Sequence, residues 1–594
     1  MTHREIRKKF FDYFVAQGHT LVPSSSLVPS GDRSVLLTTA GMQQFKPYFL
    51  GEADALADFG NRRLASIQKC FRTSDIDEVG DEHHHTFFEM LGNFSIGGYF
   101  KEQAILLAWN FLTKELRLDQ KRMFVTVFAG DSDIPEDDEA RRIWERTVPG
   151  IKVREFGRKE NFWGPPGDTG PCGPCSEIHY ILPSGLEVEL WNLVFTEYFR
   201  DEAGKYHPLE QKNIDTGMGF ERLAMILQGK EEAYETDLLA PVMEEVRRLE
   251  VVSSRPTCSA APYPANKKAS ESSGCLRSSR IIVDHIRGAV FLIADGVRPL
   301  NVGRGYVLRR IIRRAILHGK ILDINGYFLL EPAKKILEVY GEIYPELINR
   351  EKEIMETIGD EEQQFGRTLD KGLRQLEKVF QRTRGRLVDA FALYDTYGFP
   401  LELTRELARS RGLEVDEKTF ERKLEEQRER ARAAQKEGTA AKELIAPQHT
   451  AAHLLNAALK AVLGLQVRQA GQHLEAGKFR HDFTFGRKLT DGELKKVEAL
   501  VNRWIRDDLP VIKEAVTLEE AKERGAEAVF VEKYKEVDNL TMYCIGDSKG
   551  KSCSMELCAG PHAARTSELG HFEIIREEAA GAGVRRIYGR AVVD

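Results

Sequence analysis

The sequence contains no long hydrophobic run. None of its apolar stretches is long enough to span a bilayer, and no hydrophobic leader follows the first residues of the 594-residue chain. Cysteine is also scarce, at eight residues, which favours a reducing compartment where cysteines serve as ligands or core residues and not as disulfides. We therefore expect a cytoplasmic protein without a membrane partner.

The chain also has little net charge. Its 86 lysines and arginines against 92 aspartates and glutamates give a formal charge of −6, so any nucleic-acid surface must be a local patch. The length exceeds what a single hydrophobic core supports, and we expect several domains.

The first third of the chain predicts a mixed α/β domain. Strand-like runs at 34–39, 123–128 and 188–194 are separated by glycine and proline turns and a few helices, which favours an antiparallel sheet. Thr2 is placed to cap a first helix, whose basic residues, Arg7 among them, are expected to face solvent.

Later segments differ in composition. Residues 251–279 are rich in serine, alanine and proline and predict a flexible surface insertion. Residues 280–438 have a strongly helical pattern, and a mixture of helix, strand and glycine-rich turns begins after Ala446. We expect a helical domain in the middle and a further domain after it.

The stretch from Cys70 to Lys101 is the densest in chemically active side chains. Basic, acidic and aromatic residues alternate there without one clean period, as in a site more than in a core. Arg72, an acidic turn and a returning aromatic segment could grip a triphosphate and stack a purine. A hairpin with a solvated loop would give the same pattern, so both interpretations stay open.

Two further segments suit a small pocket. Between Asn161 and Tyr180, repeated glycine and proline force a closely turned backbone beside Trp163. In NIDTGMGFERL, the glycines allow close backbone approach, Arg222 could share the charge of a polyphosphate, and Asp215 could bind a small ammonium group.

Three residues of the first segment have the spacing of a partial zinc site. They are Cys172, Cys175 and His179, but no fourth ligand is nearby in sequence. Because Pro174 gives a conformational reason for the loop, we favour a structural role.

A local basic patch lies in GRGYVLRRIIRRAILHGK, from Gly303 to Lys320. Its apolar residues share one helical face, flanked by Arg309, Arg310, Arg313 and Arg314. Such a density of arginine suits phosphate contact with a duplex, and a solvated charged face is the alternative.

The strongest metal signal comes late in the chain. His449 and His453 are four apart on a helical run and share a face, and Cys558 and His562 add two ligands of the types that zinc takes. Four protein ligands would close the site, whereas an open position would allow water activation. Four unrelated residues are the alternative.

Taken together and in this order, the motifs resemble the alanyl-tRNA synthetase family of class II aminoacyl-tRNA synthetases. The resemblance covers nearly the whole chain and implies ATP-dependent ligation of alanine to tRNA(Ala) through an alanyl-adenylate, with Mg²⁺. The matching segments are HHTFFEMLGNFSIGGYFK, NFWGPPGDTGPCGPCSEI, WNLVFTEY, DTGMGFERL, GRGYVLRRIIRRA, LYDTYGFP, HTAAHLL and VRRI.

The resemblance also implies the order of domains. A class II catalytic domain, an antiparallel sheet flanked by helices, would take residues 1–240. A helical tRNA-recognition domain would take 241–438 and contain the insertion. A linker at 439–447 and an α+β zinc-containing editing domain at 448–594 would follow.

For the catalytic site, the resemblance assigns roles by motif. It implies that Arg72 binds the ATP α-phosphate and the alanine carboxylate, that Arg222 binds the γ-phosphate, and that Asp215 holds the alanine ammonium. The other implied positions are His84 or His85 near the phosphates, Phe87 or Phe88 stacked on adenine, and Trp163, Asn192 and Val194 around alanine.

Further roles concern RNA. Asn301 and Asp395 match the pair that reads a G·U wobble in the acceptor stem, whose wide minor groove exposes the guanine amino group. The four metal-site residues match the zinc ligands of the editing domain, which hydrolyses mischarged seryl- and glycyl-tRNA, and Gln469 matches a glutamine of that pocket. Editing is chemically expected because a small pocket cannot strongly reject serine.

Three departures from the family pattern bear on these roles. The β-barrel segment that usually precedes HTAAHLL is reduced to residues 436–447, and the C-terminal oligomerisation domain is absent, so we expect a monomer. CAGPH stands in place of CGGTH, where Pro561 removes an N–H and a threonine hydroxyl is lost. Weakened or lost editing is therefore the alternative for the C-terminal half.

Two other functions stay open beside the ligase. Residues 444–594 resemble free-standing editing proteins, which predicts a deacylase. A non-catalytic RNA-binding relative is the third possibility, although Arg72, Asp215 and Arg222 speak against it.

Overall fold

The structure is a computed structural model and forms two compact units, Met1–Phe420 and Glu421–Asp594. It describes residues 1–30, 32, 35–165, 167, 169–252, 271–383, 387–397, 399–436, 442–464, 467–475, 477–526, 540–547, 551–558, 560–581 and 583–593.

The elements of the first unit are mostly helices around one large sheet. The strands of the large sheet are β1 (Thr20–Leu21), β2 (Arg63–Phe71), β3 (Phe87–Ile96), β4 (Met123–Phe128), β5 (Val153–Phe156), β6 (Phe162–Trp163), β7 (Gly170–Ile181), β8 (Glu187–Arg200) and β9 (Tyr206–Gly219). Two short strands, β10 (Leu387–Val388) and β11 (Glu414–Val415), form a separate parallel pair. The helices are α1 (His3–Ala16), α2 (Lys46–Phe49), α3 (Ala55–Phe59), α4 (Lys101–Asn110), α5 (Asp138–Thr147), α6 (Arg158–Asn161), α7 (Phe220–Leu227), α8 (Ala240–Val252), α9 (Glu271–Ala294), α10 (Gly303–Ile321), α11 (Leu330–Tyr340), α12 (Pro345–Asn349), α13 (Glu351–Arg382), α14 (Phe391–Tyr397) and α15 (Leu401–Ser410). Helix α16 (Glu417–Lys436) begins in this unit, and most of its residues belong to the second.

The large sheet has the strand order β1-β2-β3-β9-β8-β7-β4-β5, and β6 pairs with β7. From β2 to β4 each neighbouring pair is antiparallel, as predicted. The edge pairs β1/β2 and β4/β5 are parallel, so the sheet as a whole is mixed. The predicted strand 123–128 is β4, and 188–194 lies inside β8.

The predicted strand at 34–39 is wrong for its described residues. Residues 35–39 form no strand. The amide of Thr38 donates to Leu27 O at 2.9 Å, and its hydroxyl donates to Ser26 O at 2.8 Å. A neighbouring loop therefore satisfies this backbone, and no ladder is needed.

Helix α1 begins as predicted but buries one of its cations. Thr2 and Glu5 form a capping box, with the Thr2 amide donating to Glu5 Oε2 at 2.8 Å. Arg7, which we expected in solvent, is buried and pairs with Glu89 of β3. The spacing of the apolar residues predicted the helix correctly. It could not predict the burial of Arg7, because its partner Glu89 lies far away in sequence.

The predicted insertion at 251–279 is only partly described. Residues 251–252 end α8, residues 271–279 begin α9 instead of a loop, and residues 253–270 lie outside the described residues. Cys275 is disulfide-bonded, contrary to the expectation for the cysteines. Helix α9 continues into a core shared with the sheet, where Phe291 stacks on Phe87 of β3.

The second unit contains two small sheets. They are antiparallel, with the orders β12-β13-β18-β17 and β14-β15-β16, and α17 and α18 contribute to the main core. The elements are α17 (Lys442–Leu463), β12 (Gln469–Glu475), β13 (Lys478–Thr484), α18 (Asp491–Arg506), β14 (Val511–Val516), α19 (Leu518–Glu523), β15 (Leu540–Asp547), β16 (Lys551–Leu557), β17 (His571–Gly581) and β18 (Val584–Val592). Among the described helices of both units, none has the length and apolarity to cross a bilayer.

Candidate active site and metal centre

The floor of a cavity at the large sheet follows from strand register. Asn192 and Val194 are two residues apart on β8 and share a face of the sheet. The register places Gly217 opposite Asn192 and Asp215 opposite Val194 on β9, so these positions face the same side. Three of the predicted alanine contacts thus lie next to one another.

The walls of this cavity come from more distant segments. Trp163 of β6 pairs with Gly173 of β7, and Arg72 follows the end of β2. At Gly217 a β-carbon would lie 2.8 Å from the sulfur of Met90, so glycine keeps the floor open. The cavity of about 450 Å³ is lined by Thr39, Ala40, Arg72, Met90, Lys159, Glu160, Phe162, Trp163, Gly164, Pro165, Cys175, Glu177, Glu189, Asn192, Val194, Asp215 and Gly217.

Asp215 is the electrostatic centre of the cavity. The residue is 5% exposed, and burial raises the pKa of its carboxyl to about 7. Burial also raises the pKa of Glu177, whose Oε1 accepts from the Asn192 amide at 3.4 Å. A bound ammonium group would offset the cost of ionising Asp215, so the site suits a small cation.

Arg72 lies beside an aromatic ring at the cavity wall. Its guanidinium carbon is 4.9 Å from the centroid of Phe88, and its Nε donates to Thr39 O at 3.4 Å. Phe88 is half-buried, so a stacking surface stays available beside the guanidinium. This arrangement agrees with the triphosphate and purine interpretation of the stretch.

Two of the alternatives for the implied ATP contacts are buried. Phe87 is fully buried and stacks on Phe291 with ring centroids 4.0 Å apart. Successive side chains of a strand point to opposite faces, so Phe88 and not Phe87 accompanies Arg72. His85 is also buried, with Nδ1 3.4 Å from Asp284.

His84 remains at the surface of this loop. It is half-buried, with Nδ1 2.6 Å from Asp81 Oδ2 and Nε2 3.1 Å from Glu78 Oε2. Its predicted approach to the phosphates stays a prediction.

Arg222 lies at the start of α7, next to the cavity. Its Nη1 donates to the carbonyl of Glu189 at 3.0 Å and to the Glu189 carboxylate at 3.1 Å. Glu189 lines the cavity, so Arg222 stands at its margin. The side chain is partly exposed and able to turn toward a polyphosphate.

A buried network beneath these arginines was missed by sequence reasoning. Arg287 of α9 donates to Glu221 at 2.7 Å and to the carbonyl of Phe87 at 2.5 Å. Glu221 in turn accepts from the amide of Glu89 at 3.2 Å. Since Glu221 directly precedes Arg222, the network ties α9, β3 and α7 together.

The second unit holds four potential metal ligands. The ligand atoms of His449, His453, Cys558 and His562 all lie within 4.8 Å of one another. Cys558 Sγ is 3.3 Å from His449 Nε2, and a tetrahedral zinc would separate such a pair by roughly 3.6 Å. Both predicted pairs therefore meet.

Each imidazole is held through one nitrogen. His449 bonds through Nδ1 to Pro561 O at 3.1 Å, and His562 bonds through Nδ1 to the Thr450 hydroxyl at 3.3 Å. In each ring, Nε2 is therefore left for the metal. His453 Nε2 lies 3.5 Å from Glu556. The buried His453 Nδ1 and His562 Nε2 have no hydrogen-bond partner among the described residues, as metal ligands would require.

Burial keeps these imidazoles neutral. It lowers the pKa of His449 to about 3 and that of His453 to about 4, and it lowers the pKa of His562 as well. Neutral nitrogens and a thiolate are the donor types that zinc takes. The donor set therefore fits a zinc ion.

The comparisons with known proteins concern nearly the whole chain. The family model for class II (A) tRNA synthetases matches residues 5–469, and the model for the threonyl and alanyl tRNA synthetase second additional domain matches residues 540–588. An alanine–tRNA ligase of Treponema pallidum is 42% identical over 620 aligned residues, with 99% of this chain and 98% of that protein covered. The chain belongs to the alanyl-tRNA synthetase family.

Other relatives carry the same name. The alanine–tRNA ligase of Borrelia hermsii is 40% identical and covered to 98%, as is this chain. That of Dehalococcoides mccartyi is 37% identical, with 98% of this chain and 79% of that protein covered. In this alanyl-tRNA synthetase family member, the mixed sheet flanked by helices is the class II catalytic domain, and a helical region and an editing-type domain follow.

The arginines of α10 are engaged inside this synthetase-family protein. Arg310 Nη2 donates to Asp77 at 2.5 Å, and Arg313 Nε donates to Glu361 at 2.7 Å. Arg309 donates to Asn301 and to Pro299 O.

Arg314 is the most deeply buried of these four arginines. Its side chain is 3% exposed and donates to both carboxylate oxygens of Glu406, at 2.8 and 2.9 Å. The prediction that Arg314 contacts a duplex is therefore corrected, because its charge is neutralised in the interior. Roles for the other three arginines in RNA contact stay predictions.

The remaining positions of the alanyl-tRNA synthetase pattern lie at the surface or in strands. Asn301 precedes α10 and Asp395 lies in α14, both exposed. Gln469 begins β12 and donates to Gln472 at 3.0 Å. Their roles in G·U reading and in editing stay predictions.

The cysteine segment of β7 has a structural role. Cys172 and Cys175 are buried, and burial raises the pKa of both thiols, to about 12 for Cys172. His179 stacks on Phe124. Within the described part of the chain, the potential metal group is the one in the second unit.

Proposed function

We propose that the chain joins alanine to tRNA(Ala) in two steps. The alanine carboxylate attacks the α-phosphorus of ATP and pyrophosphate leaves, and a terminal ribose hydroxyl of the tRNA then attacks the adenylate carbonyl and releases AMP. The observation that carries the proposal is the single cavity in which Arg72, Asp215 and a small floor of Asn192 and Val194 meet. Positioning and charge stabilisation would supply most of the rate.

Each residue of the cavity has one task in this proposal. Arg72 would hold the alanine carboxylate and the α-phosphate, Asp215 the ammonium group, and Arg222 the γ-phosphate. Phe88 would stack on adenine. Glu177 and Glu189 are carboxylates of the kind that Mg²⁺ takes, and the ion would neutralise charge on the phosphates.

Alanine-dependent exchange of pyrophosphate into ATP tests this step. Arg72→Ala should lower the exchange rate by about 100-fold or more, because a guanidinium aimed at developing charge is lost. Arg142→Ala, which removes an exposed arginine of α5, is the matched control. Wild-type protein that is folded but gives no exchange would refute the ligase.

A second activity, hydrolysis of mischarged tRNA, is supported by the metal centre. Zinc held by His449, His453, Cys558 and His562 would order the editing pocket. Glu556→Gln, at the contact to His453, should lower zinc affinity by about 10–100-fold, measured by competition with a chelator. Deacylation of seryl-tRNA should fall with it, and an unchanged zinc affinity would contradict the assignment.

The alternative for this half is that editing is weakened or lost. Pro561 stands between two ligands, and its carbonyl accepts from His449. Pro561→Thr restores the hydroxyl of the family pattern and should speed deacylation if the present site is weakened. Deacylation without any pyrophosphate exchange would instead favour the deacylase.

The finer calls on tRNA remain proposals. Asn301 and Asp395 would read the G·U pair, and replacing G·U by G·C in the tRNA should then lower charging. If the rate of charging with the G·C tRNA equalled that with the G·U tRNA, these roles of Asn301 and Asp395 would be wrong. The monomeric state, the cytoplasmic location and the domain limits at 240, 438 and 447 also stay predictions, to be tested by sedimentation, by cell fractionation and by proteolysis.

A further inference from the structure

A second, smaller cavity in the first unit is lined mainly by charged residues. On α15, Glu402, Arg405, Glu406 and Arg409 follow the spacing of one helical face. Together with three residues from other segments they line a cavity of about 270 Å³; the additional residues are Asp77, Arg277 and Arg314. Four arginines and three carboxylates therefore share one small space.

Most of these charges are neutralised inside the protein. Arg314 is held by Glu406 through two bonds, and Asp77 accepts from Arg310 at 2.5 Å. Arg405 donates outward to Glu417 at 2.8 Å. These pairs leave little charge for a ligand.

Two guanidinium groups are different. Within the described part of the chain, no carboxylate lies in an ion pair with Arg277 or Arg409. Arg277 is half-buried, and its stem packs closely on Gly80, where a β-carbon would lie 2.8 Å from its Cγ. Arg409 lines the cavity and is exposed to solvent.

The size and chemistry of the cavity select a phosphate. Its volume equals about nine water molecules at roughly 30 Å³ each, which accommodates a phosphodiester group and some of its hydration. A guanidinium fork binds phosphate oxygens through two parallel bonds. Two forks carry a charge of +2, of which the Glu402 carboxylate offsets one, so the cavity matches the single negative charge of a phosphodiester.

The location of the cavity points to one kind of phosphate. Asp77 belongs to the loop that follows Arg72, and Glu402 accepts from Tyr306 of α10 at 2.6 Å. The cavity thus lies between the ATP-site loop and the helix preceded by Asn301. These two elements contact each other through Arg310 and Asp77, so an acceptor stem read at Asn301 would reach the active site by passing over their outer surface, where the cavity opens.

We propose that Arg277 and Arg409 form a site for a backbone phosphate of the tRNA acceptor stem. The proposal rests on the proposed tRNA function, but it concerns neither the G·U pair nor the four arginines of α10. Phosphate contacts position the nucleic acid without reading its sequence.

The test measures binding of a tRNA(Ala) transcript by full-length protein, as anisotropy over a series of salt concentrations. Arg277→Ala/Arg409→Ala should weaken binding by about 10-fold and reduce the salt slope by about 1, as expected for one lost phosphate. The lysine pair Arg277→Lys/Arg409→Lys should keep the slope and lose part of the affinity, because the charge remains but the fork is lost.

Pyrophosphate exchange separates this proposal from the proposed function. Neither arginine lines the alanine cavity, so the exchange rate should match wild type in both variants and show that they are folded. Loss of exchange in wild type would refute the ligase itself. If exchange is normal and the alanine pair binds tRNA with the affinity and salt slope of the Arg142→Ala control, the phosphate site is wrong.

Discussion

The cavity lined by Arg72 and Asp215 and the helix α10 were both predicted from charged and aromatic motifs, and the structure gives their charged residues different environments. At the cavity, Arg72 and Asp215 converge from separate strands onto one space. On α10, Arg310 and Arg314 bond to carboxylates of the same unit instead. Arg72 forms no ion pair among the described residues and lines the cavity, whereas Arg310 and Arg314 are neutralised, so a motif alone does not tell which cations a ligand can reach.

The physical reason lies in how each group is positioned. Strand register fixes which side chains share a face, so Asn192, Val194 and Asp215 have to meet. A helix presents side chains around its whole circumference, and its neighbours decide which charges they neutralise. The four arginines of α10 therefore showed that the helix is basic, but not which of its charges a nucleic acid could reach.

The largest expected effect comes from the network beneath the cavity. Arg287→Met leaves Glu221 buried without its guanidinium and should cost about 3–5 kcal/mol of unfolding free energy. Arg287→Met/Glu221→Met removes both charges and should recover most of that loss. Urea unfolding of the catalytic unit measures both.

The same pair of variants tests whether Arg287 positions Arg222. In the double variant the start of α7 loses its bond to the amide of Glu89, so KM for ATP should stay raised although stability returns. If KM for ATP recovers together with stability, the network is structural only.

These residues also show the limits of sequence reasoning. Thr2, the strand at 123–128 and the two metal pairs were predictable because they depend on local spacing. Arg7, Arg287 and Phe87 were not, because burial of each is set by a partner far away in sequence. The role of Phe88 became clear only when strand alternation placed it beside Arg72.

The second effect concerns the carboxylate of the cavity. Asp215→Asn keeps the shape and removes the charge that would hold the alanine ammonium, so kcat/KM for alanine in pyrophosphate exchange should fall by about 100-fold. Stability should not fall, since ionising this buried carboxyl is unfavourable in the absence of a ligand. If Asp215→Asn kept the wild-type kcat/KM for alanine, Asp215 would not bind the alanine ammonium group.

The pH dependence of alanine use should show a smaller effect. Burial raises the pKa of Asp215 to about 7, so the ionised form that binds ammonium is lost as pH falls from 8 to 6. KM for alanine in exchange should then rise by about 10-fold over this range. Asp215→Asn supplies the control, because its KM should no longer follow pH in this window.

The smallest effect is expected on α10. It tests whether an arginine that is already paired inside the protein contributes to tRNA binding. Arg310→Ala removes a cation that is already paired with Asp77, so the affinity for tRNA(Ala) should change by about twofold or less. Asp77→Ala should have the opposite sign, because it releases Arg310 for phosphate contact and leaves the adjacent cavity more positive. Anisotropy with the transcript at low salt measures both. A tenfold loss in Arg310→Ala would mean that tRNA displaces Asp77 from this arginine, and that internal pairing on α10 does not make an arginine unavailable.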